Sequence, residues 1–264
     1  MGRFETSWEL LKVSLGIVMK DKHLLLFPLM SGLVTIGIFV SFIIGIFITD
    51  AFEFNWIMVP LYFTMYLGFY FIGIYFNTAL IGCATISLEG GSPTVSDGFR
   101  IANQNLGRIF AWALLSATIG LILRAIQERV GIVGKLIIAA IGFAWTFATF
   151  FMIPVLIYEK HGVWGSVKRS AQVFKNTWGE TFISSFGFGI FFFLLGIIGI
   201  IPIILGFMIM GIPGLIAGFV FAVIYWVILA LIASAAQGVL VAALYRYATT
   251  GKVSPEFAQV ARAW

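Results

Sequence analysis

Few residues in this 264-residue chain are of the types that carry enzyme chemistry, and they form no catalytic set. The two histidines, His23 and His161, lie in basic stretches, and neither has a second type of metal ligand at a useful spacing. Gly187-Phe188-Gly189 lies inside an apolar run, without the strand and turn that a nucleotide-binding glycine loop needs. Serines are frequent, but none pairs with a base that would activate it. The sequence therefore predicts no enzyme, no metal site and no cofactor.

Polar residues inside long apolar runs are the stronger lead, because hydrocarbon is an unfavourable medium for them. Asn77 and Thr78 lie in the second such run, and Gln237 lies in the last. They have two interpretations, either the lining of a polar pathway or hydrogen bonds between packed helices. No aspartate, glutamate or lysine lies at the centre of any run, which argues against a transporter that couples to protons or sodium through a buried carboxylate.

A cluster of charged and polar residues follows the third apolar run and consists of Arg124, Gln127, Glu128 and Arg129. Arg124 and Glu128 are four residues apart, so they can pair on one face of a helix. The cluster is either a solvated network of ion pairs or a pore mouth that attracts anions.

Basic residues between the apolar runs form a third group of candidates. Each contributes about 1 kcal/mol of attraction to anionic lipid headgroups when it lies near the membrane surface. The predicted headgroup contacts are Lys12, Lys20, Lys22, Arg100, Arg108, Lys168, Arg169 and Lys175.

The composition identifies the class of protein that must position these residues. Hydrophobic residues make up 61% of the chain and charged residues 10%, whereas about a quarter of a soluble domain is charged. A chain that crosses hydrocarbon is helical or a closed barrel, and the almost unbroken apolar run Leu24–Phe47 lacks the alternation of barrel strands. The net charge of +5 is attributed to lysines and arginines on a cytoplasmic face, and no nucleic acid partner is predicted.

Windows of about 20 apolar residues predict six membrane-spanning helices. The third is short and bracketed by Arg108 and Arg124, and the fifth is kinked near Pro202, which lacks a backbone donor. The predicted spans are Leu24–Thr49, Trp56–Ser87, Ile109–Leu123, Ile132–Ile157, Thr181–Met210 and Leu215–Tyr245.

The distribution of lysine and arginine predicts the orientation. With the N-terminus inside the cell, thirteen of these residues fall in cytoplasmic segments and three in outer loops, namely Arg124, Arg129 and Lys135. Because cytoplasmic loops carry the excess of positive charge, both termini are predicted to lie in the cytoplasm of a multi-pass cell-membrane protein.

A threefold internal repeat is the most informative pattern. An amphipathic segment with helical periodicity precedes each pair of spans. The predicted apolar stripes are Phe4, Trp8, Leu11, Leu15 and Val18; Val95, Phe99, Ala102 and Leu106; and Trp164, Val167, Ala171, Phe174 and Trp178. Each hairpin of spans is predicted to end in a charge followed by a glycine at the helix C-terminus.

The predicted fold is therefore an all-α integral membrane protein with six transmembrane helices, arranged as three repeats of an interfacial amphipathic helix plus a transmembrane hairpin. The chain is one membrane domain, with repeat units of about 1–90, 91–161 and 162–250. Residues 251–264 are predicted to form a fourth interfacial helix.

Three stretches resemble an uncharacterised family of prokaryotic multi-pass membrane proteins. They are FETSWELLKVSLGIVMKDKHLLLFPL (4–29), residues 97–129, and residues 142–180 with FMIPVLIYEKHGVWGSVKRSAQVFKNTWGE. The order Pro-Val-Leu, Glu, Gly, Lys-Arg-Ser, Trp is also loosely similar to membrane domains of glycerophosphodiester phosphodiesterases. No phosphodiesterase domain is present in this sequence, so the resemblance does not imply that activity. It implies the architecture and leaves function open.

Two hypotheses for function follow. The first is a passive channel or permease for ions or small solutes. The second is a non-transporting membrane organiser that binds lipid headgroups or partner membrane proteins through its cytoplasmic amphipathic helices. Membrane lipids are the predicted partners in either case, and the sequence leaves a homo-oligomer open.

Overall fold

The computed structural model describes residues 3–48 and 58–251, which are helical with no strand among them. The predicted fourth interfacial helix, from Ser254 to Trp264, lies outside the described residues, as do Thr49 and Trp56. A short 3-10 helix, Lys22–Leu25, joins the first two α-helices. The helices are α1 (Arg3–Lys20), α2 (Leu26–Ile48), α3 (Met58–Leu88), α4 (Val95–Gln104), α5 (Leu106–Arg129), α6 (Ile132–Ala148), α7 (Met152–Tyr158), α8 (Val163–Asn176), α9 (Trp178–Ile198), α10 (Ile201–Met210) and α11 (Ile212–Thr250).

Among the described residues, six helical segments are long and apolar enough to cross a membrane, as predicted. They are Lys22–Phe47, Val59–Leu88, Leu106–Arg129, Ile132–Tyr158, Gly187–Met210 and Ile212–Thr250. At a rise of 1.5 Å per residue, α11 is about 58 Å long, nearly twice the hydrocarbon thickness of about 30 Å. The last helix therefore extends well beyond the membrane core.

The third span is longer than predicted, because α5 runs through both arginines that were taken as its limits. Arg108 Nη1 donates to the Leu156 carbonyl at 3.1 Å, and Arg124 Nε donates to Glu128 Oε1 at 3.2 Å. A charged side chain with a partner does not end a helix, so 24 residues rather than a short segment form this span.

Two of the spans are interrupted, and side chains bind backbone groups near each interruption. The α6–α7 junction lies three residues before Pro154, and there the Phe151 N–H donates to Ser170 Oγ at 3.0 Å. The α9–α10 junction precedes Pro202, where Tyr225 Oη and Trp226 Nε1 donate to the Leu195 and Gly196 carbonyls at 2.8 and 2.9 Å. Such bonds are needed because hydrocarbon offers no water to an unpaired backbone group.

The described chain forms two compact units that interleave in sequence. The first contains residues 3–25, Ala84–Ser92 and residues 177–251. The second contains residues 26–48, 58–83 and Pro93–Asn176. These limits differ from the predicted repeat boundaries, and the single domain with three repeats stays a prediction.

In the first unit, α1 packs against α9 and α11, and α10 packs tightly against α11. Gly206 and Gly214 face each other so closely that neither has room for a Cβ atom. The buried part of α11 is concentrated between Ala235 and Tyr245, whereas large apolar side chains between Leu215 and Ile228 are exposed. The core of this unit therefore lies towards the C-terminal end of α11.

In the second unit, α8 packs against α5, α6 and α7. The buried side chains of this unit include residues between Ile72 and Cys83 of α3, between Ile109 and Ala117 of α5, and between Met152 and Leu156 of α7. Apolar side chains between Leu121 and Phe143 are exposed, as suits contact with lipid tails. In both units the core thus lies towards the ends that the charge pattern assigns to the cytoplasm.

The buried faces of α1 and α8 differ from the predicted stripes. Trp8 is 46% exposed and Trp164 is 60% exposed, so the tryptophans of the predicted apolar stripes are not part of the faces that pack against other helices. The observed buried faces are centred on Ser14 and Ser170, each 0% exposed. They comprise Leu10, Leu11, Ser14, Ile17 and Val18 in α1, and Ser166, Val167, Ser170, Val173 and Phe174 in α8. Close helix packing favours a small serine over a bulky indole at these positions.

The shorter helix α4 also buries a small residue at its centre. Gly98 contacts the Phe27 ring and Cys83 Sγ so closely that a Cβ atom would not fit without a shift of these side chains. The helix begins at a capping box in which the side chains of Thr94 and Asp97 each bind the other residue's backbone N–H. Of the predicted stripe, Ala102 is buried, Val95 and Phe99 are half-buried, and Leu106 is 43% exposed.

Three left-handed residues follow hairpins of spans. They are Gly90, Lys160 and Gly251, with φ of 83°, 51° and 63°. The predicted glycine at the second joint, Gly162, is not the left-handed residue there, because Lys160 adopts that conformation instead. Lysine reaches this region at some strain, since its Cβ disfavours positive φ.

Ser170→Ala is expected to lower the stability of the protein, because it removes the acceptor of the Phe151 N–H. The loss should be about 1 kcal/mol, the net contribution of one intramolecular hydrogen bond. Ser14→Ala is the matched control, because no described residue bonds the buried Ser14 hydroxyl. The midpoint of thermal unfolding in detergent measures both. An equal decrease of the unfolding midpoint in the two variants would contradict the assigned role of Ser170.

Candidate functional site

The exposed face of α8 presents an aromatic ring and two lysines to the surroundings. Trp164, Lys168, Gln172 and Lys175 are all exposed, at spacings of four, four and three residues that place them along one side of the helix. No acidic partner lies within salt-bridge distance of Lys168 or Lys175 among the described residues. The opposite face is the buried one centred on Ser170, so the orientation of this surface follows from the packing of α8.

The same arrangement occurs on α1. Trp8 and Lys12 are exposed, and Lys12 Nζ lies 5.5 Å from the centre of the Trp8 ring, within range of a cation–π interaction. Glu9 Oε1 lies 2.7 Å from Lys12 Nζ, so this lysine belongs to an exposed ion pair. In both helices the order is tryptophan, lysine four residues later, and a buried serine two residues after that.

This recurring element was not predicted from the sequence, in which both tryptophans were placed on apolar stripes of interfacial helices but were not related to the lysines and serines that follow them. The signal was present as the spacing Trp-x-x-x-Lys-x-Ser, at Trp8, Lys12 and Ser14 and again at Trp164, Lys168 and Ser170. We name the exposed tryptophan and lysine of each helix the Trp–Lys step. It lies on the side of each helix away from the buried serine.

The other predicted headgroup contacts divide into exposed and bound residues. Lys20 and Lys22 are exposed, with no acidic partner among the described residues. Arg169 Nε binds both carboxylate oxygens of Glu159, at 2.7 and 3.0 Å. Arg108 binds the end of α7 through the Leu156 carbonyl and also donates to Asn105 Oδ1 at 3.4 Å. Arg108 and Arg169 therefore hold helices together and are poorly placed to bind headgroups.

Arg100 is exposed but already paired, through a bond of 2.8 Å from Nη2 to Asp97 Oδ1. The pKa of Asp97 is held below its usual range, chiefly by the Thr94 hydroxyl, then by the Thr94 backbone N–H and Arg100. The carboxylate is thus charged at neutral pH and neutralises part of the basic charge of α4.

The predicted pathway residues do not converge within either unit. Thr78 is buried and donates to the Ile74 carbonyl at 2.7 Å, so its hydroxyl is hydrogen-bonded within its own helix. Asn77 is exposed in the second unit, and Gln237 is exposed in the first. In the outer cluster Arg124 pairs with Glu128, and their side chains are 75% and 66% exposed. Gln127 and Arg129 are exposed beside them.

The two histidines lie on the surface of the protein. His23 and His161 are both exposed, and His161 Nε2 lies 3.3 Å from Glu159 Oε2. Among the described residues, no group of three or more histidine, cysteine, aspartate or glutamate side chains has the geometry to hold a metal ion. Cys83 is buried and donates to the Thr94 carbonyl at 3.3 Å.

The neighbours Arg169 and Lys168 allow a test of which basic residues are structural. Arg169→Gln is expected to lower the thermal unfolding midpoint, because Glu159 loses a charge-assisted hydrogen bond, shared between its two oxygens, of about 1.5–3 kcal/mol. Lys168→Gln is expected to leave the midpoint unchanged, since no described carboxylate contacts Lys168. Both are measured on purified protein in detergent. A larger loss in Lys168→Gln than in Arg169→Gln would contradict this assignment.

Comparison with known proteins identifies a family but no activity. A search of curated proteins found no match. Neither comparison supports the similarity to membrane domains of glycerophosphodiester phosphodiesterases, which stays a prediction. The profile of DUF6159, described as a family of unknown function, matches residues 56–255, about three quarters of the chain. This protein belongs to DUF6159.

Proposed function

We propose that this protein is a non-transporting membrane organiser that holds anionic phospholipids of the cytoplasmic leaflet against its amphipathic helices. The observation that carries the proposal is the recurring Trp–Lys step. It occurs on α1 and α8, and in each helix the opposite face is buried against the protein's own helices. Two helices that are anchored in this way present the same pair of side chains to the surroundings.

The chemistry of the two side chains suits a headgroup layer. Tryptophan prefers the boundary between hydrocarbon and headgroups, where its ring is apolar and its N–H is wet. A lysine near an anionic surface gains about 1 kcal/mol, and its alkyl stem can lie along apolar surface while the ammonium reaches the phosphates. Lys168 and Lys175 have no described acidic partner, so their charge is available to lipid.

The proposal includes the threefold repeat and the cytoplasmic position of α1, α4 and α8. The buried small residues Ser14, Gly98 and Ser170 support the repeat, because each lies seven residues before the junction with the following helix. Those junctions are at Asp21, Asn105 and Thr177. The excess of lysine and arginine in the same segments supports their cytoplasmic position.

The double variant Lys168→Gln/Lys175→Gln is expected to bind phosphatidylglycerol less tightly. Losing two surface charges at about 1 kcal/mol each should weaken binding about 30-fold. The measurement is a titration of purified protein in detergent with phosphatidylglycerol, followed by native mass spectrometry, with phosphatidylcholine in parallel.

Lys135→Gln is the matched control, because Lys135 is exposed in the first turn of α6, on the side predicted to lie outside the cell. This variant should bind phosphatidylglycerol as the wild type does. Equal losses in Lys135→Gln and the double variant would contradict the proposal. So would equal binding of phosphatidylglycerol and phosphatidylcholine by the wild type.

A passive channel or permease is the second candidate function. Asn77 and Gln237 support it, because both are exposed carboxamides in membrane-spanning helices and no described residue is hydrogen-bonded to either side chain. Such groups could line a pathway. The charged Arg124 cluster would then act as an outer mouth for anions.

Ion flux separates the two candidates. The organiser proposal predicts that liposomes with purified protein leak no faster than empty liposomes under salt gradients monitored with a voltage-sensitive dye. A flux above that control that changes in Arg124→Ala or Asn77→Ala would instead establish a channel, and the organiser proposal would fall.

A further inference from the structure

A cavity lies between α9 and α11 in the first unit. Its volume is about 160 Å³, and it is lined by Phe188, Gly189, Phe192, Ala233, Gln237 and Leu240. This is smaller than the roughly 300–1,000 Å³ of a small-molecule pocket. It suits part of an elongated apolar ligand better than a whole compact one.

The cavity lies near one boundary of the hydrocarbon rather than at its centre. Phe188 lies about 15 Å along α9 from its first residue, Trp178. Gln237 lies about 38 Å along α11 from Ile212, beyond a core of about 30 Å. The position of Gln237 on α11 therefore places its carboxamide at the level where the ester groups of glycerophospholipids lie.

Gln237 is the polar side chain of this otherwise apolar cavity. Its carboxamide is exposed, and no described residue is hydrogen-bonded to it. A carboxamide offers two N–H donors and one acceptor, and leaving them unpaired beside hydrocarbon is unfavourable. A lipid ester carbonyl at the same level is an acceptor of the required kind.

Ring contacts connect the cavity to the Trp–Lys step of α1. Phe192 lines the cavity and contacts Phe188 and Phe191, with ring centres 6.2 and 5.3 Å away. Phe191 in turn contacts Trp8 edge-to-face at 5.3 Å, and Lys12 Nζ lies 5.5 Å from the Trp8 ring. The Glu9–Lys12 pair is exposed, and such pairs contribute only about 0–1 kcal/mol, so Lys12 can still attract a phosphate.

We propose that α1, α9 and α11 form a binding site for one glycerophospholipid. An acyl chain occupies the cavity, the Gln237 carboxamide donates to the ester carbonyl, and Lys12 attracts the phosphate beside Trp8. The inference rests on the proposed function in one respect, that α1 lies at the headgroup layer. It adds a defined site that recognises the ester linkage.

The test compares diester phosphatidylglycerol with a diether analogue of the same chain length, which keeps the headgroup and lacks the carbonyls. Dissociation constants are measured by native mass spectrometry. Wild-type protein is expected to bind the diester about fivefold more tightly, the effect of one hydrogen bond. Gln237→Leu is expected to bind the two lipids equally.

Asn77→Leu is the matched control, because Asn77 is the exposed carboxamide of the other unit. It should keep the preference for the diester. A preference that persists in Gln237→Leu, or is absent in the wild type, overturns the site. A third result would also overturn the site: Gln237→Leu converts a dimer into a monomer and leaves lipid binding unchanged. In that case a second copy of the chain covers the cavity.

This comparison holds the headgroup constant, whereas the proposed function depends on headgroup charge and on Lys168 and Lys175. If the wild type shows no preference for the diester but still binds anionic lipid selectively, only the proposed binding site is contradicted. If the wild type prefers the diester but does not distinguish anionic from neutral headgroups, only the proposed function is contradicted.

Discussion

The hydrogen bond from the Phe151 N–H to Ser170 links the buried face of α8 to span four. It joins an interrupted transmembrane span to an amphipathic helix, at a position where hydrocarbon could not satisfy the backbone donor. With Ser170 held inward, Trp164 and Lys168 must face outward, since they lie on the other side of the helix. The orientation of the proposed lipid surface of α8 is thus linked to the interruption of span four, where Ser170 accepts the hydrogen bond.

The first helix reaches the same orientation by packing alone. Ser14 occupies the position of Ser170 and is fully buried, yet no described residue is bonded to its hydroxyl. The small size of the side chain, rather than its polarity, is what the two helices share with Gly98 of α4. Close approach of an amphipathic helix to a span is therefore the common requirement, and the hydrogen bond to Phe151 is an addition specific to α8.

The six spans were predictable because length and apolarity are local properties of the sequence. The buried faces of α1 and α8 were not, since hydropathy ranks tryptophan as apolar and gives serine no preference for a helix contact. The steric need for a small residue exists only once two helices meet. The limits of the third span failed for a related reason, because the partner of Arg108 lies on α7, 48 residues away.

The candidate sites show the same division. Sequence analysis found the basic residues and the carboxamide of Gln237, but it could not separate free lysines from arginines that bind Glu159 or Leu156. It also placed Gln237 in a span without the cavity beside it, because that cavity is formed by α9 and α11 together. Pairing and cavities are properties of tertiary contacts, whereas the Trp-x-x-x-Lys-x-Ser spacing could have been read from the sequence.

The depth of position 164 tests the central claim most directly. A spin label is attached to Trp164→Cys in a Cys83→Ala background, and the protein is reconstituted in bilayers. Collision rates with oxygen and with a water-soluble nickel chelate then report the depth of the label. The account predicts a label within about 10 Å of the boundary between headgroups and acyl chains. A label that collides with the nickel chelate as freely as one in bulk water would contradict it.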